Sequence, residues 1–316
     1  MNFTTRVPIE KSLNPISYDS KIVSLGSCFA ENMAEKFDYF KFQNTCNPFG
    51  IIFNPVSIEN IVARAVSQQY FAEADVFFHN ERWHCFEVHS DLSHFDKEIF
   101  LNNLNQLLES TNNQITESTH IIITYGTSWV YRNKASKEIV ANCHKVPQNQ
   151  FDKEILSVKT IENSIQNTID YIRKLNTDCT LIFTVSPVRH IKDGFVENQR
   201  SKAHLITAIH ETINHQLQTI NYFPSYEILM DELRDYRFYG VDMLHPNQIA
   251  IDYIWECFVK SNIVEESYPV MEEVDSIQKG MAHRPFNPQS ESHLKFVKTL
   301  SENVDKLKEA YPFMKF

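Results

Sequence analysis

The chain has 316 residues, enough for one large domain or two small ones, and its 42% apolar content supports a sizeable core. Its 30 Lys and Arg against 40 Asp and Glu leave a formal net charge of −10 with no basic block, which argues against nucleic acid as a partner. Six cysteines (Cys28, Cys46, Cys85, Cys143, Cys179, Cys257) are scattered without a CxxC pair, the pattern of reduced thiols rather than of a disulfide framework. Met1 to Asn14 holds no apolar segment long enough for a signal peptide, and nothing approaches ~18 consecutive apolar residues. A cytoplasmic protein with no membrane span is expected.

Lys21 to Ala30 reads as a buried strand running into a sharp turn and a helix. Ile22, Val23 and Leu25 suit a parallel strand covered on both faces. Gly26 relieves the backbone where the chain bends, and Phe29, Met33, Phe37 and Phe40 then trace one stripe of an amphipathic helix. Ser27 is thereby placed at the carboxyl end of a strand and the start of a helix. Ligands of open α/β sheets collect there, and the helix dipole favours negative charge. Ser27 is a candidate nucleophile, although the same position suits an N-cap serine that only satisfies backbone donors. Phe42 to Phe53, with a turn at Asn47-Pro48-Phe49-Gly50, supplies a further strand.

Residues 72–96 carry Phe77, Phe78, His79, Trp83, His84, Phe86, His89 and His94 and read as a hairpin or irregular insertion. Ile121 to Tyr125 is a second buried strand, ending at Gly126. Residues 130–157 are polar, show no helical stripe and read as a second excursion. Ile161, Ile165, Ile169, Ile172 and Leu175 trace a helix, and Leu181 to Val185 a third strand. Ala203, Ile206, Ile209, Ile213 and Leu217 mark another helix, Tyr226 to Met230 a fourth strand, and Ile249 to Phe258 a helix after Pro246. This alternation predicts an α/β fold, a parallel sheet of about five strands with helices on both faces. From Glu265 the pattern changes: His293, Phe296, Leu300, Val304 and Leu307 form a stripe that needs a surface, on the core or on a partner subunit. The expected organisation is a domain over 1–264, with insertions at about 72–96 and 130–157, and a helical extension over 265–316. Monomer and homodimer both remain open.

The second chemical signal is Asp242-Met243-Leu244-His245-Pro246. An acyl-transfer serine needs an imidazole to take its proton and a carboxylate to fix the tautomer. Asp242 and His245, three residues apart on one loop, can face the same serine, and Pro246 then starts the next helix. Ser27, Asp242 and His245 thus form a candidate triad. The plain alternative is a helix-start signal with both side chains solvated. Cys28 is a rival nucleophile near a helix N-terminus, but a cysteine inside strand–helix packing is usually a small buried hydrophobe.

His79, His84, His89 and His94 recur every five residues, which sends successive members to opposite faces of a strand, so no metal site is expected. Trp83, His84 and His89, together with Trp129, are instead assigned to the wall of a substrate pocket or to plain packing. Ser186-Pro187-Val188-Arg189-His190 follows the third apolar strand. Arg189 and His190, with Arg200 and Lys202, bring positive charge to the pocket and a means of binding an anionic group; a solvated loop is the alternative.

Gly26 to Ala30 spells GSCFA. With Asn47-Pro48-Phe49-Gly50, Tyr125-Gly126-Thr127-Ser128, Ser186-Pro187-Val188 and Asp242 to His245, the chain resembles the GSCFA-domain family, a branch of the SGNH/GDSL hydrolases, over roughly residues 15–260. The resemblance implies a flavodoxin-like three-layer α/β/α sandwich and ester hydrolysis or acyl transfer, without a cofactor. Ser27 is the implied nucleophile, His245 the base and Asp242 its orienter, acting on a small-molecule ester such as an acylated carbohydrate. SGNH enzymes build the oxyanion hole from the nucleophile's N–H, a glycine N–H after the second strand and an asparagine after the third. Ser27 and Gly50 are the implied first two donors. At the third, Gly126-Thr127-Ser128 replaces Gly-x-Asn, leaving the Ser128 hydroxyl, with Asn47 as a substitute. Loss of one such donor costs ~10²–10³ in turnover, so a non-catalytic homologue binding a small ligand in the same pocket is the alternative. A metal-dependent hydrolase using the histidine-rich insertion is a third reading.

Overall fold

Five parallel strands form the centre of the fold in a computed structural model, which describes residues 5–213 and 219–316. The first half contains β1 (Lys21–Gly26), α1 (Cys28–Tyr39), β2 (Gln43–Cys46), α2 (Pro55–Val66), β3 (Phe77–His79), β4 (Arg82–His84), α3 (Lys97–Glu117) and β5 (His120–Tyr125). There follow β6 (Trp129–Asn133), β7 (Ile139–Val140), β8 (Phe151–Ile155), α4 (Val158–Leu175), β9 (Thr180–Val185) and α5 (Phe195–Ile213). Then come β10 (Ile220–Phe223), α6 (Ser225–Glu227), α7 (Gln248–Asn262), α8 (Tyr268–Ala282) and α9 (Glu291–Ala310).

Across the sheet the order is β2-β1-β5-β9-β10. Counting these strands alone gives 2-1-3-4-5, the flavodoxin-like order. Successive strand residues face opposite layers. Ile22, Ile122 and Ile182 enter one cluster with Phe29, Phe37, Trp255 and Phe258 of α1 and α7. Val23, Ile121, Ile123 and Leu181 enter the other with Ile58, Leu104, Ile165 and Leu205 of α2 to α5. The result is a three-layer α/β/α sandwich. The order reverses between β1 and β5, so the crevice at their carboxyl ends is the place where such sheets bind ligands.

The fourth strand is β10, not Tyr226 to Met230, which lies in α6 and a π-helical turn over Ile228–Leu233. A short apolar run has no periodicity that separates strand from helix, and the edge strand β10 buries only Ile220 and Phe223. Helix α5 starts at Phe195, before the Ala203 stripe; Leu217 lies outside the described residues. Residues 72–96 include the antiparallel β3–β4 hairpin, and Trp83 pairs with His94 beside it. The polar excursion over 130–157 is an ordered antiparallel sheet, β7-β6-β8, whose Arg132 and Glu154 pair across strands.

The helical extension folds back on its own domain. Leu307 and Met314 are buried with Ile16 and Tyr18, and the Tyr311 ring lies 5.2 Å from that of Tyr18. Among the described residues no helix is long and apolar enough to cross a membrane.

Candidate active site

Gly26 ends β1 with φ +140°, and a Cβ there would collide with the Thr124 carbonyl of β5. Only glycine fits this turn. Ser27 follows as the N-cap of α1, its Oγ accepting the Phe29 N–H at 3.3 Å. It is 1% exposed, and its own N–H donates to the Thr124 carbonyl at 3.1 Å. The capping role expected of a serine here is therefore met; it occupies an Oγ lone pair and leaves the hydroxyl proton free for another acceptor.

After β2, Asn47 braces the same turn. Its Oδ1 accepts the Gly26 N–H at 2.8 Å, its Nδ2 reaches Glu31 Oε1 at 3.5 Å, and its carbonyl accepts the Gly50 N–H at 2.7 Å. Gly50, with φ +76°, lies directly beneath the His89 side chain. After β5, the Gly126 N–H donates to the Phe53 carbonyl at 2.8 Å. Ser128 is fully buried against α5: its N–H donates to Ser201 Oγ at 2.7 Å and its hydroxyl to the Ser201 carbonyl at 3.2 Å. Each oxyanion donor expected from the sequence thus has a protein acceptor.

After β9, the backbone N–H of His190 donates to Asn198 Oδ1 at 2.8 Å, and its ring stacks on Phe53 with centroids 5.5 Å apart. Its Nε2 is buried beside Gly126 with no partner among the described residues. Burial, reinforced by the nearby Lys202, pushes this imidazole down to about 3, so it is neutral. Arg189 stacks its guanidinium 4.2 Å from the Tyr239 ring centroid, and its backbone N–H donates to the Leu244 carbonyl at 3.2 Å. The loop carrying Asp242 and His245 is in this way docked on the β9 loop, at the carboxyl edge that also holds Ser27.

Within that loop Met243 takes φ +59°. Asp242 Oδ1 accepts the N–H groups of Leu244 at 2.9 Å and His245 at 3.0 Å, while Oδ2 meets His245 Nδ1 at 2.5 Å. Those two backbone bonds, then the His245 ring, hold the Asp242 carboxyl down at about 2. Both side chains are about half-exposed. Among the described hydrogen bonds none joins Ser27 to His245.

The remaining expected site residues lie in the insertions or at their edges. Trp83 packs on Phe78 and under the Lys97 ammonium. His84 is buried with both ring nitrogens engaged, Nδ1 on Ser93 Oγ at 2.6 Å and Nε2 on the His79 carbonyl at 2.9 Å. Trp129 donates its indole N–H to the Glu197 carbonyl at 3.3 Å. Among the described residues no group of three or more His, Cys, Asp or Glu is arranged to hold a metal ion. All six cysteines are free thiols, and burial raises that of Cys28 above its ordinary value. Phe53, Ser201 and Tyr239, which shape the edge, carry no motif; only the folded packing reveals them.

A 2-1-3-4-5 sheet with a capped serine at the β1–α1 corner defines a flavodoxin-like α/β protein. Two family models match: the GSCFA family over residues 21–258, and the GSCFA domain protein C-terminal domain over residues 274–316. The chain belongs to the GSCFA family. A search of curated proteins finds no match to it.

Proposed function

We propose that this protein is a serine hydrolase of SGNH type acting on ester bonds, with Ser27 as nucleophile, His245 as general base and Asp242 as its orienting carboxylate. The observation that carries the reading is the 2.5 Å contact between Asp242 Oδ2 and His245 Nδ1, on a loop docked at the edge where Ser27 sits. An anionic Asp242 keeps the proton on Nδ1 and leaves Nε2 as the acceptor. Ser27 Oγ adds to the ester carbonyl carbon while its proton passes to His245 Nε2. The imidazolium protonates the departing alkoxide, leaving an acyl-serine, and water activated by the same nitrogen releases the acid. A hydroxyl compound in place of water makes the reaction an acyl transfer. The SGNH resemblance favours a small acyl ester, acylated carbohydrate included. Ser27 is 1% exposed, so turnover requires local opening at this edge. The six free cysteines fit a reducing compartment, and we assign the protein to the cytoplasm.

A second reading, a homologue that binds a small ligand without turnover, is favoured by the donors of Ser27, Gly50 and Ser128 being taken up inside the protein. The test is hydrolysis of p-nitrophenyl acetate and labelling by a fluorophosphonate, each compared with Ser27→Ala. Turnover and labelling that vanish in the variant support the hydrolase. A folded wild-type protein that does neither supports the binding reading, and hydrolysis that survives in the variant overturns Ser27 as nucleophile.

A further inference from the structure

Lys202 on α5 is 1% exposed, yet among the described residues no carboxylate pairs with it. Its Nζ donates to the Gly126 carbonyl at 2.6 Å and to the Ser186 carbonyl at 2.7 Å. These residues directly follow β5 and β9. An ammonium has three N–H donors, so one has no protein acceptor among the described residues. A buried charge is costly unless it is paired. The groups that face it are Cys28 of α1, His190 of the β9 loop and the Tyr226 ring of α6, whose centroid is 5.6 Å from Nζ. None is an anion at neutral pH, since burial raises the Cys28 and Tyr226 groups and keeps His190 neutral. The N-terminus of α1, capped by Ser27, adds partial positive charge at the same corner. A buried cation that no carboxylate pairs among the described residues, beside a helix N-terminus whose first-turn Glu31 is turned to Asn47, is arranged for negative charge that forms during a reaction.

We propose that Lys202 is a positioning residue of the Ser27 site: its ammonium clamps the chain where β5 and β9 end and supplies positive charge against the oxyanion formed when Ser27 adds to a carbonyl. The inference rests on Ser27 being the nucleophile. It accounts for an oxyanion site that lacks the asparagine donor at Ser128. Burial pushes the ammonium down to about 7, so its proton is lost as the pH rises past neutrality.

The test is the rate of Ser27 phosphonylation by a fluorophosphonate from about pH 5.5 to 9, in wild-type protein, Lys202→Met and Lys202→Gln. Labelling about 100-fold slower in both variants is expected, the cost of a misplaced reacting group, with melting temperatures close to wild type. The wild-type rate falls above about pH 7, and the variants lack that limb. Lys202→Met labelling at the wild-type rate overturns the proposal while leaving Ser27 as nucleophile. Slowed variants that keep the alkaline limb reduce Lys202 to packing and overturn it too. Should Lys202→Met not fold, Lys202→Gln keeps a donor for the carbonyls, and a wild-type profile level from about pH 7 to 9 is itself disproof. Wild-type protein never labelled at Ser27 overturns the hydrolase reading and this inference together.

Discussion

Asp242 secures its own loop with one carboxylate oxygen and His245 with the other. Oδ1 accepts the N–H groups of Leu244 and His245, and Oδ2 meets His245 Nδ1 at 2.5 Å. The imidazole is thereby oriented by a group that is itself fixed by backbone, although both side chains are about half-exposed. The left-handed Met243 between them lets a three-residue separation close into this ring of contacts.

Asp242→Asn separates orientation from charge. The amide oxygen still accepts both backbone N–H groups, but the NH₂ now faces Nδ1 and favours the tautomer with its proton on Nε2. That nitrogen no longer accepts the Ser27 proton. Ester turnover is expected to fall on the order of 10²–10⁴-fold with KM little changed, and circular dichroism should show the fold intact. Full activity in this variant removes Asp242 from the mechanism.

Cys28→Ala distinguishes the two adjacent candidate nucleophiles. Burial, and then Glu31, raise the Cys28 thiol above its ordinary value, which works against a thiolate at neutral pH. Fluorophosphonate labelling and ester turnover within about threefold of wild type are expected, since the change removes one small, partly buried sulfur. Loss of both with Ser27 unaltered would point to the thiol.

Where apolar residues run nearly unbroken up to a glycine or serine turn, as in β1, β5 and β9, or recur at helical spacing, as in α1, α4 and the stripe of α9, the fold was legible. The edge strand β10 was not, because half of its four residues are partly solvated. The serine corner and the Asp242–His245 pair were legible as local chemistry, each being set by neighbours a few residues away. The fate of the oxyanion donors was not. Whether Ser128 faces a pocket or Ser201 depends on how α5 packs over β5, a relationship 73 residues long in sequence. Lys202 was legible as a charge but not as a buried one, for the same reason.

Gly50→Ala is expected to destabilise the protein by about 2 kcal/mol or more. A side chain at φ +76° is strained, and its Cβ would collide with His89, which is tied at its own N–H to the Phe49 carbonyl at 3.0 Å. Overpacking adds to the backbone strain. Urea unfolding measures the loss; Gly194→Ala, where a Cβ meets nothing within 4 Å but φ is +99°, isolates the strain alone. Equal losses in the two variants would mean that His89 yields without cost.

Acid should destabilise the native state through its buried imidazoles, since burial lowers His84 and His120 and lowers His144 and His190 furthest. Burial pushes His144 down from about 6.5 to about 4, and His190 to about 3, so both are neutral in the folded protein. In the unfolded chain each takes up a proton near pH 6.5. As the pH falls below that value the unfolded state binds more protons than the native state, and stability falls. The loss continues down to about 4 for His144 and about 3 for His190, and is absent above about 7. His144→Gln keeps an N–H donor for the Cys85 carbonyl, which His144 Nε2 contacts at 2.7 Å, and cannot titrate. Its urea midpoint is therefore expected to decline less steeply than that of wild type between about pH 6.5 and 4. Parallel declines in the two proteins would show that His144 is charged inside the fold.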